Sequence, residues 1–132
     1  MKLYLVRHAE AAAGTPDHAR PLTPVGRDQA RSLGARLRDS GVLPDAIVTS
    51  PLLRARETAS LLGEALGIEA TDDERLAPGA SASDVTDAVR GLGKTVIAIG
   101  HQPDCSRIAA ALTGEPEPSF PPGGSVTIQL EP

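Results

Sequence analysis

The sequence predicts an α/β fold, a three-layer sandwich in which helices flank a mainly parallel central sheet. Short apolar runs, typical of buried strands, alternate along the chain with stretches in which apolar residues recur every three or four positions, as on one face of a helix. The 132 residues are enough for one domain, and no repeat or linker divides them. We therefore expect a single domain over residues 1–132.

Short apolar runs predict five strands. KLYLV is bounded by charged residues, and KTVIAIG has the strongest strand pattern in the chain. In chain order the predicted strands cover residues 2–6, 45–50, 67–70, 94–100 and 125–130.

Four stretches are predicted helices, and three of them have a proline near their start. Thr23-Pro24 is typical of a cap followed by proline at the first helical position, and Ser50-Pro51 repeats that pattern. The predicted helices cover residues 24–39, 52–66, 84–92 and 103–112, and loops cover 9–22, 71–83 and 113–124.

The composition excludes several classes of function. Tyr4 and Phe120 are the only aromatic residues, and the net charge is −4, which argues against a nucleic-acid partner. A single cysteine allows no internal disulfide. No signal-peptide pattern and no apolar run of membrane-spanning length is visible, so we expect a cytoplasmic protein without membrane contact.

Candidate functional residues follow three of the predicted strands. Arg7 and His8 end the first strand, Arg54 lies one turn into the helix after the second, and His101 ends the fourth. Charged residues at strand ends are common at any protein surface. However, ligands of open α/β sheets bind at the carboxyl ends of the strands, so neighbouring strands would bring these two histidines and two arginines together.

Two histidines and two arginines suit phosphoryl chemistry. Arginine binds phosphoryl oxygens through two parallel hydrogen bonds. A neutral imidazole, whose ordinary pKa is about 6.5, is a competent nucleophile near neutral pH, and a second one can stabilise the transition state. This chemistry requires no cofactor, and the ligand spacing suggests no metal.

Three segments of the chain resemble the signature segments of the histidine phosphatase superfamily, the phosphoglycerate mutase-like proteins. They are LVRHAE, SPLLRARETA and AIGHQPDCS, in the family's order. The segment DHARPLTPVG, together with the short length, looks most like the SixA-type phosphohistidine phosphatases. The resemblance implies a phosphoglycerate mutase-like fold in a minimal form without large insertions.

The resemblance also implies roles for individual residues. His8 would be the nucleophile, Arg7 and Arg54 the phosphate ligands, and His101 the second histidine of the transition state. Arg20 matches an arginine beside the pocket in the SixA-like branch, where it would help to bind the substrate.

Three further residues have alternative interpretations. Glu74 lies in the region where many superfamily members have a proton donor, but a solvated loop is nearly as plausible, since three acids occupy residues 72–74. Cys105 is interpreted as a small buried hydrophobe and not as a reactive thiol. Arg56, two residues from Arg54, would point elsewhere on the helix and remain solvated.

Three functions remain open at this stage. The first is a phosphatase for phosphohistidine on a partner protein, with phosphate or a phosphate mimic bound in the pocket and His8 forming a covalent intermediate. It is favoured because the loops are too short to form a large lid and because an imidazole leaving group depends little on a proton donor. The alternatives are a small-molecule phosphomonoesterase with Glu74 as acid, and a non-catalytic phosphate-binding module.

Overall fold

A five-stranded sheet forms the centre of the molecule. The computed structural model describes residues 1–131; Pro132, the last residue of the predicted domain, lies outside them. The strands are β1 (Lys2–Arg7), β2 (Ala46–Thr49), β3 (Ala70–Asp72), β4 (Thr95–Gly100) and β5 (Ser125–Gln129). Their order is β3-β2-β4-β1-β5, and every neighbouring pair is parallel except β1 and β5. The prediction of a mainly parallel sheet is confirmed.

Helices cover both faces of the sheet. They are α1 (Pro24–Asp39), α2 (Leu53–Leu66), α3 (Ala82–Val89) and α4 (Asp104–Thr113), with single 3₁₀ turns at Asp17–Ala19 and Glu74–Leu76. α1 has the predicted bounds because Thr23 Oγ1 accepts a hydrogen bond from the Gly26 amide at 2.9 Å. None of the helices within residues 1–131 combines the length and the apolar character needed to cross a bilayer.

Alternating side chains of the strands form two separate cores, which gives the three layers. Leu3 and Leu5 of β1 pack with α3 and α4 on one face, together with Val96 and Ala98 of β4. The intervening apolar residues pack with α1 and α2 on the other face, among them Val6, Ile97 and Ile99. A strand that is buried on both faces has a continuous run of apolar residues in its sequence. This is why the sequence of β4 predicts a strand so clearly.

Two of the predicted elements were displaced along the chain because local hydrogen bonds decide their limits. The short third strand lies at Ala70–Asp72 and not at 67–70, since Gly67 takes a left-handed conformation (φ 74°) and ends α2 there. The third helix covers Ala82–Val89 and not 84–92, so it begins two residues earlier and ends three residues earlier than predicted. Ser81 and Asp84 form a capping box that starts it early.

The predicted Ser50 cap was also wrong. The residue that precedes α2 is Leu52, whose side chain makes no capping hydrogen bond. Ser50 Oγ instead accepts from the Leu52 amide at 3.2 Å and lies 2.7 Å from His101 Nε2. The sequence pattern predicted that the Ser50 hydroxyl caps the helix, but the hydroxyl makes a tertiary contact with His101 instead.

The register of the three central strands places their carboxyl ends at one level. Arg7 is paired with Gly100, and Thr49 with Ile99. The next residues continue this alignment, since the His8 amide donates to the Gly100 carbonyl and the Ser50 amide to the Ile99 carbonyl, both at 3.0 Å. Residues that follow β1, β2 and β4 therefore meet at one edge of the sheet.

Candidate active site

The two predicted histidines face each other at this edge. The ring centroids of His8 and His101 are 5.1 Å apart, and the ring planes are inclined by 59°. Both rings are largely buried, and His101 is only 4% exposed. The strand-end pattern in the sequence therefore corresponds to a real cluster of side chains.

Hydrogen bonding determines which nitrogen of His8 is free. His8 Nδ1 donates to the carbonyl of Ala9 at 2.7 Å, so the lone pair is on Nε2. The Ala9 amide donates to Thr58 Oγ1 at 3.1 Å, and that hydroxyl donates to the Arg54 carbonyl at 2.8 Å. Thr58 thus connects the segment after β1 to α2, which carries Arg54. Sequence reasoning missed this residue because only the tertiary fold brings it to the site.

Ser50 orients His101 in a similar way. Its Oγ accepts from the Leu52 amide at 3.2 Å and lies 2.7 Å from His101 Nε2, to which the hydroxyl can donate its proton. In the tautomer that accepts this proton on Nε2, the proton of the neutral ring is on Nδ1. Among the described residues, His101 Nδ1 and Arg7 Nε are buried polar atoms without a hydrogen-bond partner. Two such donors in one site suit an anion with several oxygens, such as a phosphoryl group.

Both histidines are held in the neutral form. The pKa of His8 is lowered to about 4, chiefly by burial and also by the positive charges of Arg54, Arg7 and Arg20, whereas the hydrogen bond to Ala9 acts in the opposite direction. Burial also lowers the pKa of His101 to about 3, with smaller contributions from His8 and Arg54. Near neutral pH, His8 Nε2 therefore carries a free lone pair.

The arginines approach the histidines from two sides. Arg54 is 7% exposed and comes from the first turn of α2, whereas Arg7 ends β1 and donates to the Phe120 carbonyl at 2.8 Å. Arg20, from the loop before α1, donates through Nε to the Ala12 carbonyl at 2.7 Å. The charges of all three guanidinium groups lower the pKa of His8.

Asp17 was missed by the sequence reasoning, although it lies beside these arginines. Its carbonyl and Oδ2 accept from Arg54 at 3.0 and 3.3 Å, and its Oδ1 accepts from Arg20 at 3.0 Å. The hydrogen bond from Arg20, together with the charge of Arg54, holds the pKa of Asp17 below its usual range. The spacing of three residues between Asp17 and Arg20 was the one signal available in the sequence.

Glu74 forms no hydrogen bond or ion pair with this cluster. It begins the 3₁₀ turn after β3, and its side chain is exposed, with no hydrogen bond or ion pair among the described residues. It follows β3 at the same edge of the sheet, where the amide of the preceding residue, Asp73, donates to the Thr49 carbonyl at 2.8 Å. The role of Glu74 as a proton donor stays a prediction.

Two other interpretations from the sequence are confirmed. Arg56 is on the surface, where it pairs with Asp72 at 3.4 Å and is about half exposed. Cys105 is completely buried, and burial raises the pKa of its thiol to about 12.

The neutral histidines have a testable consequence. In an NMR titration, we expect the Cε1–H signals of His8 and His101 to stay constant from neutral pH down to about pH 5 and to shift only below it. The contribution of the two neutral histidines to the free energy of unfolding should be complete above about pH 6.5 and should fall as the pH approaches 4. In that interval the histidines of the unfolded chain bind protons, whereas those of the folded chain do not. Titration of either ring near pH 6.5 would contradict the assignment.

Comparisons with known proteins agree with this geometry. The model of the histidine phosphatase superfamily (branch 1) matches residues 3–78. The phosphohistidine phosphatase SixA of Escherichia coli strain K12 is 27% identical over 139 residues, which cover 99% of this chain and 86% of the relative. An uncharacterized protein of Picosynechococcus sp. is 36% identical over 120 residues, covering 85% of this chain and 73% of the relative.

Solved structures show the same fold. The protein histidine phosphatase SixA complexed with tungstate superposes with a TM-score of 0.92 at 28% identity, over 99% of this chain and 89% of the other. YhfR of Bacillus stearothermophilus has a TM-score of 0.76 at 25% identity, over 98% and 91% of the two chains. The predicted phosphoglycerate mutase-like fold and the resemblance to SixA-type proteins are confirmed. From the family model and these near full-length similarities, the chain belongs to branch 1 of the histidine phosphatase superfamily and is a phosphatase.

Proposed function

We propose that this protein removes the phosphoryl group from phosphohistidine on a partner protein, in two steps through a covalent intermediate on His8. The observation that carries the proposal is the buried pair of neutral imidazoles, 5.1 Å apart, in which His8 Nε2 is left free among arginine side chains. The similarity to proteins named SixA phosphohistidine phosphatases supports the choice of substrate.

In the first step, His8 Nε2 attacks phosphorus and forms a new P–N bond. The P–N bond of the substrate breaks, and its electron pair returns to the leaving ring. Arg7 and Arg54 bind the equatorial oxygens, on which the charge is spread. His101 Nδ1, which the Ser50 hydroxyl leaves protonated, donates to one of these oxygens.

In the second step, a water molecule attacks phospho-His8. An O–P bond forms, the P–N bond to His8 breaks, and its electron pair returns to Nε2. Both protons of the water leave with the product, which is dihydrogen phosphate. The hydrogen bond from His8 Nδ1 to Ala9 keeps the ring in one orientation through both steps.

The exposed position of Glu74 fits an imidazole leaving group. A phosphohistidine ring that is protonated on its second nitrogen leaves as neutral imidazole, and no proton has to be delivered during bond breaking. An alkoxide leaving from a phosphomonoester is far more basic and depends on a placed acid. Because Glu74 makes no hydrogen bond or ion pair among the described residues, this arrangement supports phosphohistidine as the substrate.

The segments around the site suit a substrate carried by another protein. Residues 8–23, 73–81 and 114–124 lie between regular elements and contain no α-helix, only single 3₁₀ turns of three residues and an isolated bridge between Ala11 and Leu22. Such segments offer no helical lid to enclose a small molecule. An intracellular location, predicted from the sequence, would bring the protein together with phosphohistidine-bearing proteins.

The choice between substrates can be tested with Glu74→Gln and the matched control Glu115→Gln, a second exposed glutamate. We expect the wild-type kcat/KM for a phosphohistidine-bearing protein to exceed that for glycerol phosphate, an ester with an alkoxide leaving group, by at least about 100-fold. Both variants should stay within about twofold of wild type, because the imidazole leaving group needs no acid. Preference for the ester, with its turnover lost in Glu74→Gln alone, would establish the phosphomonoesterase instead.

A further inference from the structure

Asp17 places a negatively charged carboxylate beside the arginines that are predicted to bind phosphate. Asp17 pairs with Arg20 at 3.0 Å and with Arg54 at 3.3 Å, although Arg54 is predicted to bind a doubly negative phosphoryl group. A fixed negative charge at this place weakens the binding of any anion through Coulomb repulsion. A site evolved only to bind phosphate would gain affinity by losing Asp17. The carboxylate must therefore serve either the loop or the substrate.

The position of Asp17 gives it access to both the buried site and the solvent. Its side chain is 65% exposed, whereas the Arg54 side chain that it contacts is 9% exposed. A carboxylate has about four lone-pair positions, and the two arginine contacts use one on each oxygen. Asp17 can therefore accept a further hydrogen bond from the solvent side without releasing either arginine.

The leaving group of the proposed reaction contains a matching donor. In reactive phosphohistidine, one ring nitrogen is bonded to phosphorus and the other carries a proton, so that the ring is positively charged. A carboxylate is the favoured partner of such an N–H group. A phosphomonoester has no cationic donor in its leaving group, so Asp17 can only repel it.

We propose that Asp17 is a subsite for the protonated imidazole ring of the substrate and thereby selects phosphohistidine over phosphomonoesters. The inference rests on the proposed function and deepens it. The Asp17 carboxylate accepts a hydrogen bond from the second ring nitrogen and stabilises the protonated ring. When His8 Nε2 attacks, the P–N bond breaks with its electron pair going to the leaving nitrogen. The ring departs as neutral imidazole and keeps its proton, so no proton is transferred to or from Asp17.

Free phosphohistidine and p-nitrophenyl phosphate are the probes for this subsite, because neither includes the rest of a partner protein. In Asp17→Asn, we expect kcat/KM for phosphohistidine to fall between about tenfold and 100-fold, the usual loss for a charge-assisted hydrogen bond. For p-nitrophenyl phosphate we expect a rise of about threefold, because a repelling charge is removed. Asp17→Glu, which keeps the carboxylate, should recover part of the phosphohistidine activity.

Asp87→Asn is the matched control, since Asp87 pairs with Arg90 at the same three-residue spacing on the remote helix α3. Asp87→Asn should change kcat/KM for neither phosphohistidine nor p-nitrophenyl phosphate. Because selectivity is a ratio measured on one preparation, a partly unfolded variant lowers both rates and leaves the ratio unchanged. An equal change for both probes in Asp17→Asn would reduce Asp17 to a structural role and overturn the inference. A wild-type enzyme that prefers the ester would overturn the proposed function itself.

Discussion

His8→Asn is expected to reduce turnover by at least about four orders of magnitude, since removal of a covalent nucleophile leaves only binding and electrostatic effects. Asparagine preserves a polar side chain of similar reach at the end of β1. Incubation with a radiolabelled phosphohistidine donor should label the wild-type protein in an acid-labile form and leave the variant unlabelled.

His18→Asn is the matched control for this experiment. His18 is exposed on the 3₁₀ turn Asp17–Ala19 and has no predicted role, so its removal should preserve both turnover and labelling. Residual turnover of His8→Asn above about one tenth of wild type would show that His8 is not the nucleophile. Label on a residue other than His8 would lead to the same conclusion.

Arg54→Ala is expected to lower kcat/KM by about 100-fold to 1,000-fold, which is typical for the loss of one preorganised group that stabilises transition-state charge. Arg54 is buried at the start of α2, and its positive charge is among those that keep His8 neutral. Affinity for tungstate, measured by calorimetry, should fall as well. Arg54→Lys should recover only part of both, since an ammonium group cannot form two parallel hydrogen bonds with phosphoryl oxygens.

Arg56→Ala provides the control on the same helix. Its side chain is half exposed, and its ion pair with Asp72 is a surface contact of little energetic value. Catalysis and tungstate affinity should therefore be unchanged. Thermal melting of Arg54→Ala, Arg54→Lys and Arg56→Ala distinguishes a loss of phosphate binding from a loss of folding. Equal losses of kcat/KM in Arg54→Ala and Arg56→Ala would show that Arg54 does not bind the phosphoryl group.

The fold was largely predictable because local signals and tertiary packing agree over most of the chain. β4 and α1 show this agreement, since a buried strand needs an apolar run and a Thr-Pro pair can start a helix. Ser50-Pro51 shows the opposite case. The same local pattern was present, but the Ser50 hydroxyl bonds to His101, which is 51 positions away in the chain. A cap of this kind cannot be told from a tertiary contact by sequence alone.

The site was predictable to the extent that strand ends define it. The rule for open α/β sheets placed His8 and His101 at one edge, and the aligned register of β1 and β4 brings them together. Asp17 and Thr58 could not be predicted in this way. One is in an irregular loop and the other is inside a helix, and their contacts depend on how these elements pack.

Cys105 bears on how the enzyme would respond to oxidants. It is the only cysteine of the chain, and its sulfur is sealed beneath β1, 3.8 Å from the Val6 carbonyl oxygen. Peroxide and alkylating reagents attack the thiolate, which a buried thiol with a pKa of about 12 hardly forms. With nitrogen as the proposed nucleophile, dephosphorylation would continue during oxidative stress, when phosphatases that depend on a reactive thiolate are switched off.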